Sequence, residues 1–216
     1  MKNIALILSG CGFLDGGEIY EATLTLLALD LAGAQVTAFA PNIDQLHVVN
    51  HLTGEPTGGS RNVLEEAARL MRGKISDIKD ANADDFDALI IPGGFGAAKN
   101  LCDFALKGST MTVNPQVLAF ARAIHAAGKP VGLVCIAPAM APAISGPGTR
   151  YTIGNDAGTA AAIDAMGGQH VDCAVDDCVI DSERKIVTTP AYMYAARISE
   201  AQRGINKLVS AVLEMA

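Results

Sequence analysis

The run Pro130-Val-Gly-Leu-Val-Cys-Ile-Ala-Pro138 decides the fold. Its first five residues have the length and apolar character of a buried strand, and no polar residue separates them from Cys135. Pro138 then stands where the first turn of a helix tolerates proline. A strand that turns straight into a helix is the unit of a parallel sheet, whose strands are covered on both faces and read as unbroken apolar runs. Asn3-Ile-Ala-Leu-Ile-Leu8, residues 36–40 and Ala88-Leu-Ile-Ile91 are runs of the same kind. Helical spacing lies between them. Ile19, Ala22, Leu26, Leu27 and Leu29 share a period that Gly33 stops, and residues 61–71 form a second helix. Asn114-Pro115 supplies an N-cap and a first-turn proline to a helix closed by Gly128. Asn155 or Asp156 caps a helix running to Met166, and a last helix covers residues 199–215. His47-Val-Val-Asn-His51 reads as a short strand, and residues 176–189 as a small C-terminal hairpin around Asp181-Ser-Glu-Arg184. The alternation predicts an α/β fold: a mostly parallel central sheet with helices on both faces. The length suits one domain, residues 1–216.

Composition narrows the function. The net charge is −7 and basic residues form no patch, so no nucleic-acid partner is expected. Arg69-Leu-Met-Arg72-Gly-Lys74 reads as a helix end whose cations complement the dipole. No stretch approaches the roughly 20 apolar residues of a membrane span, and the run after Lys2 lacks the pattern of a secretory leader. Five cysteines at irregular spacing fit free thiols in a reducing, cytoplasmic setting, and Cys173-Ala-Val-Asp-Asp-Cys178 has no second ligand pair for zinc. Neither metal nor cofactor is expected.

Ligands of such sheets bind at the carboxyl ends of the strands. Three segments fall there: residues 9–17, Pro92-Gly-Gly-Phe-Gly96 and the turn at Cys135. A nucleophile on a sharp strand-to-helix turn projects above the sheet, and a helix N-terminus behind it favours thiolate. Ala137 at +2 is small, as the crowded turn requires, whereas Leu133 at −2 is bulky. The alternative is a buried cysteine that fills the end of an apolar strand. Gly93 and Gly94 let the backbone approach a ligand closely, and with the N–H of Ile136 they can form an oxyanion hole; a plain tight turn is the alternative. Lys99 does not complete a phosphate-binding loop. Gly10, Gly12 and Gly16 nearly match a dinucleotide fingerprint, but Asp15 and Glu18 would repel a pyrophosphate, and no acidic residue follows the second strand to hold a ribose.

Glu18 and Glu21 open the first helix on one face. They complement the helix dipole, or one of them meets the thiol. A carboxylate beside a thiolate is unfavourable, so one group of such a pair keeps a proton and can act as acid and base. Histidine is scarce near the turn: only His170 follows Cys135, while His125 lies in a well-capped helix and His47 and His51 flank a loop. Cys11, in the first loop at a strand end, is placed to line the same pocket.

Together these residues resemble the PfpI-type branch of the class I glutamine amidotransferase-like superfamily. The carriers are the turn at Cys135, the Pro92–Gly96 loop and Glu21. Leu8-Ser-Gly-Cys-Gly12, Asn50-His-Leu-Thr-Gly-Glu55, Pro92-Gly-Gly-Phe-Gly-Ala-Ala-Lys-Asn100, Cys135-Ile-Ala-Pro-Ala139 and Val187-Thr-Thr-Pro-Ala-Tyr-Met193 resemble its ElbB subfamily across nearly the whole chain. The resemblance implies a flavodoxin-like three-layer sandwich, a homodimer, Cys135 as nucleophile with Glu21 as its partner, and an oxyanion site at Gly94 and Ile136. It also implies weak, glutathione- and metal-independent glyoxalase activity, with glyoxal as a small aldehyde substrate, and an association with isoprenoid metabolism. One departure matters. Amidotransferases carry a late His and Glu where this chain reads Thr189-Pro-Ala-Tyr-Met193, and Gly154 stands where PfpI-type relatives place a histidine. Glutamine hydrolysis and Cys–His proteolysis are therefore not expected. The leading expectation is a cofactor-independent glyoxalase that works through a Cys135 hemithioacetal, with Glu21 shuttling the proton. The alternatives are a redox or electrophile sensor, a chaperone-like protein, or a deglycase.

Overall fold

The computed structural model describes residues 1–216. Strand β1 (Asn3–Ile7) leads into helix α1 (Ile19–Leu31), β2 (Gln35–Ala40), α2 (Val63–Leu70), the two-residue β3 (Ser76–Asp77) and β4 (Ala88–Ile91). Then come α3 (Phe104–Lys107), α4 (Pro115–Ala126), β5 (Val131–Val134), α5 (Ala141–Ser145) and β6 (Thr149–Tyr151). The chain ends with α6 (Ala157–Asp164), β7 (Gly168–His170), β8 (Val179–Asp181), β9 (Ile186–Thr189) and α7 (Ile198–Met215).

Seven strands form one sheet in the order β3-β2-β1-β4-β5-β9-β8, parallel throughout except for the β8–β9 pair. This is the flavodoxin-like α/β arrangement expected. The C-terminal hairpin exists, but it does not stand apart: β9 pairs in parallel with β5 and carries β8 on the sheet edge. The segment 47–51 is not a strand; only Val49 makes an isolated bridge, to Pro56. Polar and glycine residues on both sides of it supply no partner run.

Alternation along β1 divides the core. Ile4 and Leu6 face α1 and α7, where they meet Ala22, Leu29, Leu208 and Val212. Ala5 and Ile7 face α4, with Val117, Phe120 and Ile124. All four β1 side chains are fully buried, which is why the strand reads as unbroken apolar sequence. Asn114 caps α4 by accepting the N–H groups of Gln116 and Val117 at 3.0 and 3.3 Å. Asp156, not Asn155, caps α6. The chain leaves β1 toward β2 on one side and returns to β4 on the other, so the carboxyl ends of β1 and β4 bound the crevice where this architecture binds ligands.

Candidate active site

Cys135 follows β5 directly and has φ 63°, a left-handed conformation that non-glycine residues avoid. Such a residue costs about 1–3 kcal/mol and persists only where its surroundings hold it. Here the Cys135 N–H donates to the Thr189 carbonyl at 3.0 Å, one step beyond the β5–β9 pairing. The bulk of Leu133 is absorbed because its side chain is fully buried in the core on the α4 side. Ala137, 1 % exposed, begins a tight 3-10 turn (Ala137–Met140) that continues into the five-residue α5.

Glu21 is fully buried and lies against the thiol. A Cβ placed on Gly93 would come 2.5 Å from Cys135 Cβ and 2.8 Å from Glu21 Oε2, so Gly93 is the bare spot around which acid and thiol meet. Glu21 Oε2 accepts the Gly93 N–H at 2.9 Å, and Oε1 accepts the Tyr192 N–H at 3.1 Å. Gly93 therefore orients the acid, and its N–H is not free for an oxyanion as expected. The N–H groups of Gly94 and Ile136 are the ones directed at the thiol. Glu18 does not meet Cys135 through its carboxylate. It caps α1, its Oε2 accepting the Glu21 N–H at 2.6 Å.

Burial pushes the Glu21 carboxyl up to about 8, and the nearby Glu18 charge adds to this; hydrogen bonds from Tyr192, Cys135 and Gly93 oppose it. Burial also pushes the Cys135 thiol well above its ordinary value, with the Glu21 charge second, while the Gly94 and Ile136 N–H groups pull it down. The thiolate expected from a helix N-terminus is not the resting form. Only a 3-10 turn and a five-residue helix follow the turn, and both groups of the pair are out of water. The pair has room for one negative charge.

Above the thiol lies a cavity of ≈360 Å³. Phe13 and Phe95 stand at its mouth, each about half exposed. Phe104, Thr159, Tyr192 and Met193 line it further, with Glu18, Gly94 and Ile136 beside Cys135. The two glycine loops are bonded together: Phe95 N–H to Phe13 O at 2.8 Å and Gly96 N–H to Gly16 O at 2.8 Å. Gly94 has φ 89°, and a Cβ there would come 2.4 Å from the Glu18 nitrogen.

Two expected pocket residues lie elsewhere. Cys11 sits among the charges of Glu66, Arg69 and Arg61 on the α2 side, not in the cavity. Gly154 backs onto Pro190 and Tyr194 and does not line it either. None of the four histidines reaches the cavity: His51 is bonded to Leu14, 3.2 Å, and Val49, 3.1 Å, behind the first loop. No three His, Cys, Asp or Glu side chains gather to hold a metal ion. The residues sequence reasoning missed are Tyr192 and Met193. Their segment carries part of the family resemblance and lacks the late His and Glu, and neither signal shows that it contributes the backbone N–H that holds Glu21.

The matches to known proteins agree with this geometry. The DJ-1/PfpI family model matches residues 10–196. A human protein, glutamine amidotransferase-like class 1 domain-containing protein 3, mitochondrial, is 45% identical over 98% of this chain and 82% of its own length. The rat ES1 protein homolog, mitochondrial, is 44% identical over 98% and 83%. The crystal structure of an isoprenoid biosynthesis protein with amidotransferase-like domain from Ehrlichia chaffeensis superposes with TM-score 0.93 at 37% identity, covering 100% of this chain and 99% of that one. A ThiJ/PfpI domain protein from Brachyspira murdochii shares the fold at TM-score 0.62 and 16% identity, over 99% and 97% of the two chains. With the thiol on its turn, the carboxyl against it and a family model spanning most of the sequence, the chain belongs to the DJ-1/PfpI family.

Proposed function

We propose that this chain is a cofactor-independent glyoxalase of the ElbB type, converting glyoxal to glycolate through a covalent adduct on Cys135. One observation carries the reading: the thiol's partner is a buried carboxyl raised to about 8, and no histidine reaches the cavity. A proton must move between two carbons of one substrate, and a group that both donates and accepts near neutrality suits that task.

The active form has lost one proton from the Cys135–Glu21 pair. Carboxylate Glu21 takes the thiol proton as sulfur adds to one aldehyde carbon and passes it to the new alkoxide, giving a hemithioacetal. Gly94 and Ile136 N–H groups, freed as the sulfur charge moves into the new bond, stabilise that oxygen. Carboxylate Glu21 removes the hydrogen on the sulfur-bearing carbon and returns a proton to the neighbouring carbonyl carbon, while the hydroxyl proton of the first carbon passes to the oxygen of the second. The first carbon is thereby oxidised to a thioester and the second reduced to an alcohol. Water cleaves the thioester, releasing glycolate and restoring the thiol. Cys135→Ala should abolish glycolate formation, a loss of at least about 10²–10⁴-fold, the scale of a lost catalytic group. Turnover retained in homogeneous variant would end this reading.

The homodimer and the single domain 1–216 remain parts of the proposal. No helix is long and apolar enough to cross a membrane. The human and rat relatives carry mitochondrial names, so the reducing compartment implied by five free cysteines need not be the cytoplasm expected from the sequence.

A further inference from the structure

The cavity over Cys135 is larger and more apolar than glyoxal alone would fill. Resting on the glyoxalase reading, we propose that the preferred substrates are α-oxoaldehydes bearing an uncharged apolar group, an aryl ring fitting best, with Phe104 and Met193 forming the wall that receives it.

Volume is the first argument. Glyoxal displaces on the order of two or three waters, roughly 60–90 Å³ at about 30 Å³ each. The cavity holds ≈360 Å³, so most of it would stay unfilled. Wall chemistry is the second. Nine of the twelve lining residues are hydrophobic, and Phe13, Phe95, Phe104 and Met193 supply most of the bulk. A hydrated dialdehyde brings hydroxyls that such walls leave unpaired, whereas a ring gains by leaving water.

Charge is the third. The lining contains no Lys, Arg or His, and its one carboxyl outside the thiol pair is Glu18. Lys99, the cation beside the mouth, is already engaged: its ammonium donates to Leu14 O at 3.0 Å and lies 4.9 Å from the Phe95 ring centre. An aldehyde carrying carboxylate or phosphate would be desolvated against Glu18 with no counter-ion. The chemistry is unchanged by the substituent. The aldehyde carbon bonds to sulfur and ends as the carboxylate, the ketone carbon gains hydrogen, and one water is consumed, so an aryl-substituted substrate leaves as its 2-hydroxy acid.

The test compares kcat/KM for glyoxal, phenylglyoxal and 4-carboxyphenylglyoxal on the wild-type chain. Phenylglyoxal should exceed each of the others at least tenfold, the scale on which apolar pockets discriminate. Glyoxal turned over as efficiently as phenylglyoxal, in a Cys135-dependent manner, would overturn this inference and leave the glyoxalase reading standing. Ala105→Arg places a cation on the exposed side of the lining, where packing is undisturbed. It should raise the carboxyphenyl-to-phenyl ratio at least tenfold, and an unchanged ratio counts against the assigned wall. Binding separates pocket from chemistry. By NMR titration, Cys135→Ala should bind acetophenone at least tenfold more tightly than acetone. Equal affinities would overturn the pocket assignment whatever the turnover; acetophenone binding without turnover of any aldehyde by the wild type would instead sustain the pocket and sink the glyoxalase reading.

Discussion

Glu21 shows most directly how one residue's setting produces its chemistry. Both carboxyl oxygens accept backbone N–H groups, from Gly93 and Tyr192, and neither reaches water. Burial nevertheless outweighs those bonds and holds the carboxyl protonated up to about 8. Its ordinary value is 4.5, so the folded chain keeps a proton that the unfolded chain has lost. Stability from this group is full below about pH 4.5 and is lost as pH rises to about 8, at up to about 1.4 kcal/mol per pH unit. Glu21→Gln cannot ionise. Its unfolding free energy should therefore gain on that of the wild type between about pH 5 and about pH 8, as urea melts at several pH values would show. Parallel pH curves for the two proteins would mean the buried carboxyl is ionised. Cys135 illustrates the limit of local reading. Its turn conformation follows from the strand and proline around it, but the sign of its shift comes from burial and from Glu21, neither of which its neighbours in sequence reveal.

At the scale of elements, the site is two glycine loops bonded together beneath an elbow. Gly94 is the tightest point: at φ 89° it passes within van der Waals reach of the Glu18 nitrogen and the Gly16 carbonyl. Gly94→Ala should cost about 1–3 kcal/mol from backbone strain alone. Displacement of the N–H aimed at the thiol should lower glyoxal turnover by more than the lost stability explains. Denaturation midpoints measured beside activity would separate the two effects; a variant with wild-type turnover would remove Gly94 from the site. The loops themselves were legible, because glycine after an apolar strand marks close backbone approach. Which N–H faces which group was not. Gly93 and Gly94 are equivalent in sequence, and only the position of Glu21 between loop and thiol assigns one to the acid and the other to sulfur.

Across the whole molecule, the sheet serves as the rigid base on which these pieces are aligned. Gly132 in β5 leaves room for Leu208 and Val212 of α7, whose methyl groups would lie 2.9 and 3.0 Å from a Cβ there. Leu208→Ala empties a fully buried site beneath the elbow strand and should destabilise the chain by about 2–5 kcal/mol. A denaturation midpoint close to the wild type's would show that α7 does not brace β5.

What the sequence determined by itself is what depends on neighbours along the chain. Unbroken apolar runs dictate strands buried on both faces, Asn114-Pro115 starts a helix, and proline just after Cys135 permits the turn. These effects act over a few residues, so the α/β class and the sharp turn at Cys135 could be read directly. Tertiary structure decided what depends on residues far apart. Tyr192 holds Glu21 across 171 positions. Cys11 turns to the α2 side although its loop borders the cavity, and Gly154 packs on Tyr194 and Pro190 outside it. The physical reason is that burial and electrostatic coupling are properties of the space around a group. The carboxyl's proton and the apolar walls over the thiol exist only once the sheet has brought its strand ends together.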